Sequence, residues 1–242
     1  MRAIVCGANG AMGKLIQASL GEDRIAGLVS LDGENGVPKT FAELGPCGAD
    51  AIIDFSHHSA VGAVMDYARV NNIAVVVGTT GHTAEEKEII FEAAKHIPVF
   101  YSGNMSLGIA VLCRLAKQAA AAFPDADIEI LEIHHNRKVD APSGTAKMLF
   151  EAVKEVRPQA TANCGRSGEG KRTKDEIGIS ALRMGNVVGI HEVHICTPSQ
   201  TLTLRHEAAN RAMFADGAVA AAEFVAGKTA GLYNMEHFLN QK

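Results

Sequence analysis

Through the first hundred positions, short runs of apolar and β-branched residues alternate with longer segments of helical periodicity. Residues 3–6, 25–31, 51–54, 73–77 and 99–101 read as strands. Residues 12–20, 59–70 and 85–95 read as helices. Strands that are apolar throughout have no side to present to water, so both faces of their sheet need cover. Regular strand–helix alternation supplies that cover in a doubly wound parallel sheet.

The pattern changes after Asn104. Residues 107–123 form a long alanine-rich helical segment. Residues 127–134 alternate as a half-buried strand, with Ile128 and Ile130 on one side and Glu132 next on that side. Glu129, Leu131 and Ile133 fall on the other. A helix over 143–156 follows. Residues 157–176 are polar and glycine-rich and read as a mobile loop. Strands over 177–183, 187–196 and 201–206 predict an antiparallel or mixed sheet, and 213–225 is helical. The expected organisation is an N-terminal α/β domain (1–105 plus 212–242) and a second, α+β domain (106–211). Hinges are expected near Asn104–Ser106 and Arg211.

Composition narrows the picture. Of 242 residues, 47% are hydrophobic, yet only 5% are aromatic and Trp is absent, so the core must be aliphatic with helices packed through small side chains. A net charge of −4 and no long basic run give no electrostatic footprint for nucleic acid. No apolar run approaches the roughly 18 residues of a membrane helix. The N-terminal apolar stretch is too short for a secretory signal. Cys6, Cys47, Cys113, Cys164 and Cys196 are odd in number and scattered, which suits free thiols in the cytoplasm and neither disulfides nor a metal set.

Gly7, Ala8, Asn9, Gly10, Ala11, Met12 and Gly13 join the first strand to the first helix with GxxGxxG spacing. A tight glycine turn lets backbone N–H groups approach a pyrophosphate at a helix N-terminus. Asp32 ends the second predicted strand, where an acid commonly binds adenosine ribose hydroxyls. Gly78, Thr79, Thr80 and Gly81 close the fourth strand, at the sheet edge where ligands sit.

The stretch 132–146, EIHHNRKVDAPSGTA, crowds His134, His135, Arg137 and Lys138 at a strand end and then starts a helix at Ser143, Gly144 and Thr145. Unpaired amides at a helix start, hydroxyls and a lysine make a carboxylate site, and histidine supplies protons near neutral pH. Plainer readings use the same residues: Ser143 as an N-cap alone, the cations as a solvated face. A metal site fits poorly, because adjacent strand residues face opposite ways and the cations repel a metal ion.

This stretch resembles the signature of the dihydrodipicolinate reductase family, and GANGAMG, GTTG, YSGNMSLG and RMGNVVGIHE resemble other family segments in the expected order. The resemblance implies a Rossmann-like nucleotide domain, a substrate and oligomerisation domain, and a homotetramer. It implies NAD(P)H-dependent reduction of a cyclic dicarboxylate, 4-hydroxy-tetrahydrodipicolinate, on the diaminopimelate route to lysine. It implies His134 as proton donor and acceptor and Lys138 as a second donor. His135, Ser143, Gly144 and Thr145 would bind substrate. Gly7 through Met12, Asp32, Gly78, Thr79, Thr80, Ser102, Gly103, Asn104 and Met105 would bind cofactor. Two positions depart from the pattern. Gly33 stands where an arginine commonly meets the 2′-phosphate of NADPH, so NADH is the expected preference. Met105 stands where an aromatic is common. A short-chain dehydrogenase is excluded, since no tyrosine has a lysine four residues on. A nicotinamide-binding regulator without catalysis would not need the His134–Lys138 pair.

Overall fold

A computed structural model describes residues 1–241. The elements are, in order, β1 (Ala3–Cys6), α1 (Ala11–Leu20), β2 (Ile25–Val29), α2 (Phe41–Leu44), β3 (Ala51–Asp54), α3 (Val61–Asn71), β4 (Ala74–Val77), α4 (Ala84–Ala94), β5 (Pro98–Tyr101), α5 (Leu107–Ala122), β6 (Asp127–His134), α6 (Gly144–Lys154), β7 (Thr161–Cys164), β8 (Glu176–Arg183), β9 (Ile190–Thr197), β10 (Gln200–Glu207), α7 (Ala212–Val225), β11 (Gly231–Tyr233) and α8 (Met235–Leu239). The chain divides into two compact units. The first joins Met1–Ser106 to the segment from Arg211 onward, and the second is Leu107–Asn210.

The first unit holds a six-stranded sheet in the order β11-β5-β4-β3-β1-β2. Every pairing is parallel. The chain leaves β1 for β2 on one side and returns to β3 on the other. That reversal opens a crevice beyond the C-terminal ends of β1 and β3, where doubly wound sheets bind ligands. One face of the sheet, through Ile4, Cys6, Ile52, Val75, Val77 and Val99, packs against α3 and α4. α7 packs on β3, β4 and β5 and also against α1. The scarcity of large aromatics is explained here. α7 buries Ala215, Gly217, Ala218, Ala221 and Ala222, and a Cβ on Gly217 would lie 1.8 Å from the Met105 carbonyl oxygen.

The second unit carries a five-stranded mixed sheet in the order β10-β9-β6-β8-β7. β6 runs parallel to β8 and antiparallel to β9. α5 and α6 bury Ile109, Leu112, Leu149, Phe150 and Val153 against Ile128, Ile130, Ile177, Val193 and Ile195. Alternation puts Glu129, Leu131 and Ile133 on the opposite face, where each is half-buried or exposed.

Two expectations need correction. The second strand stops at Val29 rather than Leu31, because the Ser30 amide turns to the Pro38 carbonyl (2.9 Å) and the Gly33 amide to Ser30 (3.0 Å). Residues 157–176 are not simply a loop. They contain β7, a parallel edge strand on β8, whose mostly exposed side chains leave no hydrophobic alternation to read. Arg172 fastens the rest of that stretch through Asp127 (2.8 Å) and Glu129. The parallel edge strand β11 and helix α8 have no counterpart in the sequence reading.

Candidate active site

Two sets of residues concern function, one in each unit. In the first unit, Gly7 leaves β1 with φ +81°, and a Cβ there would sit 2.3 Å from the Phe55 carbonyl oxygen. A Cβ on Gly13 would lie 2.2 Å from the Gly7 oxygen and 2.8 Å from Ala8 Cα. Only glycines allow the turn, the crossing beside β3 and the close start of α1. Gly10 caps α1 without a side-chain bond, so the orphan amides of the first turn face outward with the helix dipole behind them. That cradle fits a pyrophosphate.

Asp32 lies beside this turn. Its Oδ1 accepts from Asn9 Nδ2 (2.6 Å) and the Glu34 amide (3.1 Å). These bonds hold its carboxyl below the ordinary range, so it is an anion ready to accept from ribose hydroxyls.

The Gly78–Thr80 turn is fixed by a buried acid. Asp54 Oδ2 accepts from Thr79 Oγ1 (2.9 Å), and Oδ1 from Ser56 Oγ (2.5 Å). Burial pushes the Asp54 carboxyl up, against the Ser56 and Thr79 bonds. Gly78 is needed because a Cβ would strike the Phe55 ring at 2.3 Å. The Ser102 amide bonds to Val77 O (3.3 Å), which sets the 102–105 segment beside that turn. Ser102 Oγ donates to Asn104 O (2.7 Å) and Gly103 is exposed. Met105 is only 2% exposed, so the packing of its side chain on a nicotinamide ring would require that burial to open.

In the second unit, β6 carries its core-facing side from Ile128 and Ile130 into Glu132 and His134. Glu132 is fully buried. Its Oε2 faces His134 Nδ1 at 2.5 Å. Arg183 clamps both oxygens, at 2.8 and 2.7 Å, and the Ser143 amide donates to Oε1 (3.0 Å). Burial alone would raise this carboxyl, but Arg183, His134 and the Ser143 amide together hold it below its ordinary value. An ionised carboxylate only accepts, so His134 Nδ1 carries a hydrogen and Nε2 is its reactive nitrogen. A Cβ on Gly189 would come within 3.1 Å of that Nε2, so glycine keeps the approach open.

His191 stands edge-on to His134, ring centroids 5.0 Å apart, with Nε2 3.2 Å from Ser143 Oγ. Burial, then the neighbouring His134, pushes His191 down to about 4, so it stays neutral and leaves proton supply to His134. Ser143 caps α6 by accepting from the Ala146 amide (3.2 Å). Exposed Gly144 and half-buried Thr145 open the helix. Lys138 is paired with Asp140 at 2.8 Å, and His135, the residue just past the end of β6, is half-buried.

His134, Ser143 and the start of α6 therefore share one neighbourhood through Glu132. Sequence reasoning did not single out Glu132, Arg183 or His191. Parity held the signal for Glu132: an acid on the core side of a strand, two residues before a histidine, needs a cation. Among the described residues no group of three His, Cys, Asp or Glu could hold a metal ion, and no helix is long and apolar enough to cross a membrane.

A parallel sheet with a phosphate cradle at its switch point, and a separate unit holding a carboxylate-oriented histidine, define a pyridine-nucleotide-dependent oxidoreductase. Comparisons with known proteins give the particular kind. The sequence pattern described as "Dihydrodipicolinate reductase, N-terminus" matches residues 1–105, and "Dihydrodipicolinate reductase, C-terminus" matches residues 108–239. The 4-hydroxy-tetrahydrodipicolinate reductase of Alkaliphilus metalliredigens (strain QYMF) is 41% identical over 242 residues, covering 99% of each chain. That of Clostridium novyi (strain NT) is 40% identical over 249 residues, covering 100% of this chain and 99% of the relative. A dipicolinate-bound dihydrodipicolinate reductase from Paenisporosarcina sp. TG-14 superposes with a TM-score of 0.80 at 25% identity, covering 97% of each chain. The chain belongs to the dihydrodipicolinate reductase family.

Proposed function

We propose that this chain reduces 4-hydroxy-tetrahydrodipicolinate to tetrahydrodipicolinate on the diaminopimelate route to lysine, using NAD(P)H with NADH preferred. The observation that carries the reading is the Glu132–His134 pair beside the anion-binding start of α6. The dipicolinate bound by the Paenisporosarcina relative is a planar ring with the same two carboxylates, which supports a dicarboxylate substrate here.

When bound, the reduced nicotinamide supplies a hydride. Lys138, His135 and the first turn of α6, Ser143 to Thr145, bind the substrate carboxylates. Loss of the ring hydroxyl with a hydrogen from the adjacent carbon, as water, creates a carbon–carbon double bond conjugated to the ring imine, and the hydride and one proton then add across that new bond. Protonated His134 gives that proton from Nε2 to the carbanion or enamine that hydride addition creates, while Glu132 holds the imidazolium through Nδ1. Lys138 is the second proton donor, giving its proton to the ring hydroxyl as that leaves as water. Gly7 to Met12 would hold the nucleotide's pyrophosphate, Asp32 its adenosine ribose, and Gly78 to Thr80 with Ser102 to Met105 its nicotinamide. Asp32 repels a 2′-phosphate, which is the ground for the NADH preference.

We assign nucleotide binding to the first unit, and substrate binding and assembly to the second. The half-buried outer face of its sheet, with Leu131 and Ile133, supports a homotetramer. The free cysteines suit the cytoplasm. The test is the absorbance loss of NADH or NADPH when the protein meets the product of dihydrodipicolinate synthase. Turnover that depends on that product supports the reading, and its absence with a folded protein overturns it.

A further inference from the structure

The turn after β2 holds a cation that the sequence could not place. Gly33 has a left-handed backbone, φ 64° and ψ 15°. A Cβ built there would lie 2.3 Å from Lys39 Cε, 2.7 Å from Cγ and 3.1 Å from Cδ. The Lys39 stem thus lies along the Gly33 backbone and fills the space that a side chain at 33 would take. The segment is tied on both sides of that contact. Ser30 N bonds to Pro38 O (2.9 Å), and Lys39 N donates to Glu43 Oε2 (2.9 Å). The stem is therefore carried to Gly33 by the fold of the loop.

Asp32 is the adjoining residue. Asn9 and the Glu34 amide fix its carboxylate toward the glycine turn. Lys39 is exposed, and its ammonium makes no ion pair or hydrogen bond with any described residue. The Lys39 stem thus lies over the backbone of the residue that follows Asp32.

We propose that Lys39, folded over Gly33, is the cation that receives the 2′-phosphate of NADPH beside Asp32, so that the chain admits both nucleotides. The proposal rests on the reading of Asp32 as the ribose-binding acid. The charges explain the choice. A 2′-phosphate brings up to two negative charges against the single charge of Asp32, and Lys39 supplies one positive charge at that edge. The offset is partial, which leaves NADH ahead without excluding NADPH. Gly33 takes part by having no side chain. Any other residue would strain its left-handed backbone and push Lys39 away.

The test is calorimetric titration of the intact protein, with NADH and NADPH as separate ligands and no substrate present. The variants are Lys39→Met, which keeps the stem and removes the charge, and Asp32→Asn. Lys39→Met is expected to weaken NADPH about tenfold and to leave NADH within about twofold, since a cation at a solvated site is worth on the order of one factor of ten. Wild-type affinity for NADPH should fall more steeply with salt than that for NADH, and Lys39→Met should remove the difference. An unchanged ratio of the two affinities in Lys39→Met, or equal weakening of both, overturns the proposal whatever Asp32→Asn shows. Asp32→Asn is expected to weaken NADH. If it leaves both affinities unchanged, the ribose assignment of Asp32 fails by itself.

Discussion

Replacing Glu132 with Gln tests the centre of the proposed chemistry with almost no change of shape. The carboxylate is fully buried and holds four bonds, from His134 Nδ1, the two terminal nitrogens of Arg183 and the Ser143 amide. Gln keeps the acceptor oxygen for one partner and offers an NH2 where the other oxygen stood. That NH2 cannot accept from His134 Nδ1. The ring must then turn or exchange tautomers, and its hydrogen moves to Nε2 in the neutral form. A charge-assisted bond to a buried group is worth about 1.5–3 kcal/mol, which corresponds to a loss of kcat on the order of 10- to 100-fold. KM for substrate should change less, because the retained Gln oxygen can still accept from the Ser143 amide and keep the start of α6 in place.

Stability falls as well. Arg183 would keep a charge without its partner, and breaking a buried pair costs about 3–5 kcal/mol, discounted here because the Arg183 side chain is 19% exposed. A second variant separates the two effects. Glu132→Gln with Arg183→Met removes both charges and should regain part of the lost stability without regaining kcat. Steady-state kinetics, denaturant titration and 15N shifts of the His134 ring give the three readouts. NADH affinity is the control and should not move. If Glu132→Gln keeps kcat within about threefold of wild type, and His134 keeps its hydrogen on Nδ1, the orienting role assigned to Glu132 is wrong.

Three further outcomes follow from the same residues. His134→Gln should lower kcat by about 10²–10⁴-fold, the usual contribution of a positioned general acid, with nucleotide affinity unchanged in a binding titration; an unaltered rate removes His134 from the proton step. Lys138→Ala should weaken pyridine-2,6-dicarboxylate, a competitive inhibitor on this reading, by about tenfold; equal affinity in wild type and variant would rule out the contact. His191, held down to about 4 from an ordinary 6.5 by burial and then by His134, with Glu132 opposing and His206 and Lys138 adding, makes the fold bind fewer protons than the unfolded chain between those values. Stability should therefore drop as pH falls through that window, by about 3 kcal/mol from this group if it acts alone. His191→Gln keeps a partner for Ser143 and cannot titrate, so its denaturation midpoint should depend less on pH from 6.5 to 4; identical pH dependence would refute the assignment.

What could be read from the sequence, and what could not, divides by physical cause. The glycine turn was legible because its chemistry is local: Gly7, Gly10 and Gly13 serve a turn and a helix start that lie within seven residues. The 132–146 stretch was legible for the same reason, since one strand end and the next helix start carry His134 and Ser143 together. β7 and β11 were not legible. Edge strands of three or four residues, exposed or half-buried throughout, leave no alternation by which to find them. Arg183 and His191 reach Glu132 only through sheet register, Arg183 standing opposite His134 on β8 and His191 opposite Glu132 on β9. No spacing in the chain encodes that register, although the core-side parity of Glu132 demanded some cation. Lys39 is the extreme case. Its distance of six residues from Gly33 means nothing as a motif, and its role depends on a loop that returns to the end of β2 and lays the stem across a bare backbone. A missing arginine at position 33 reads in the sequence as a missing charge. In the fold the same glycine is what gives another cation room, so an absent side chain and a present charge are two sides of one contact. Nucleotide preference in this chain therefore has to be judged from the whole turn, residues 32 to 43, rather than from the single residue after the acid.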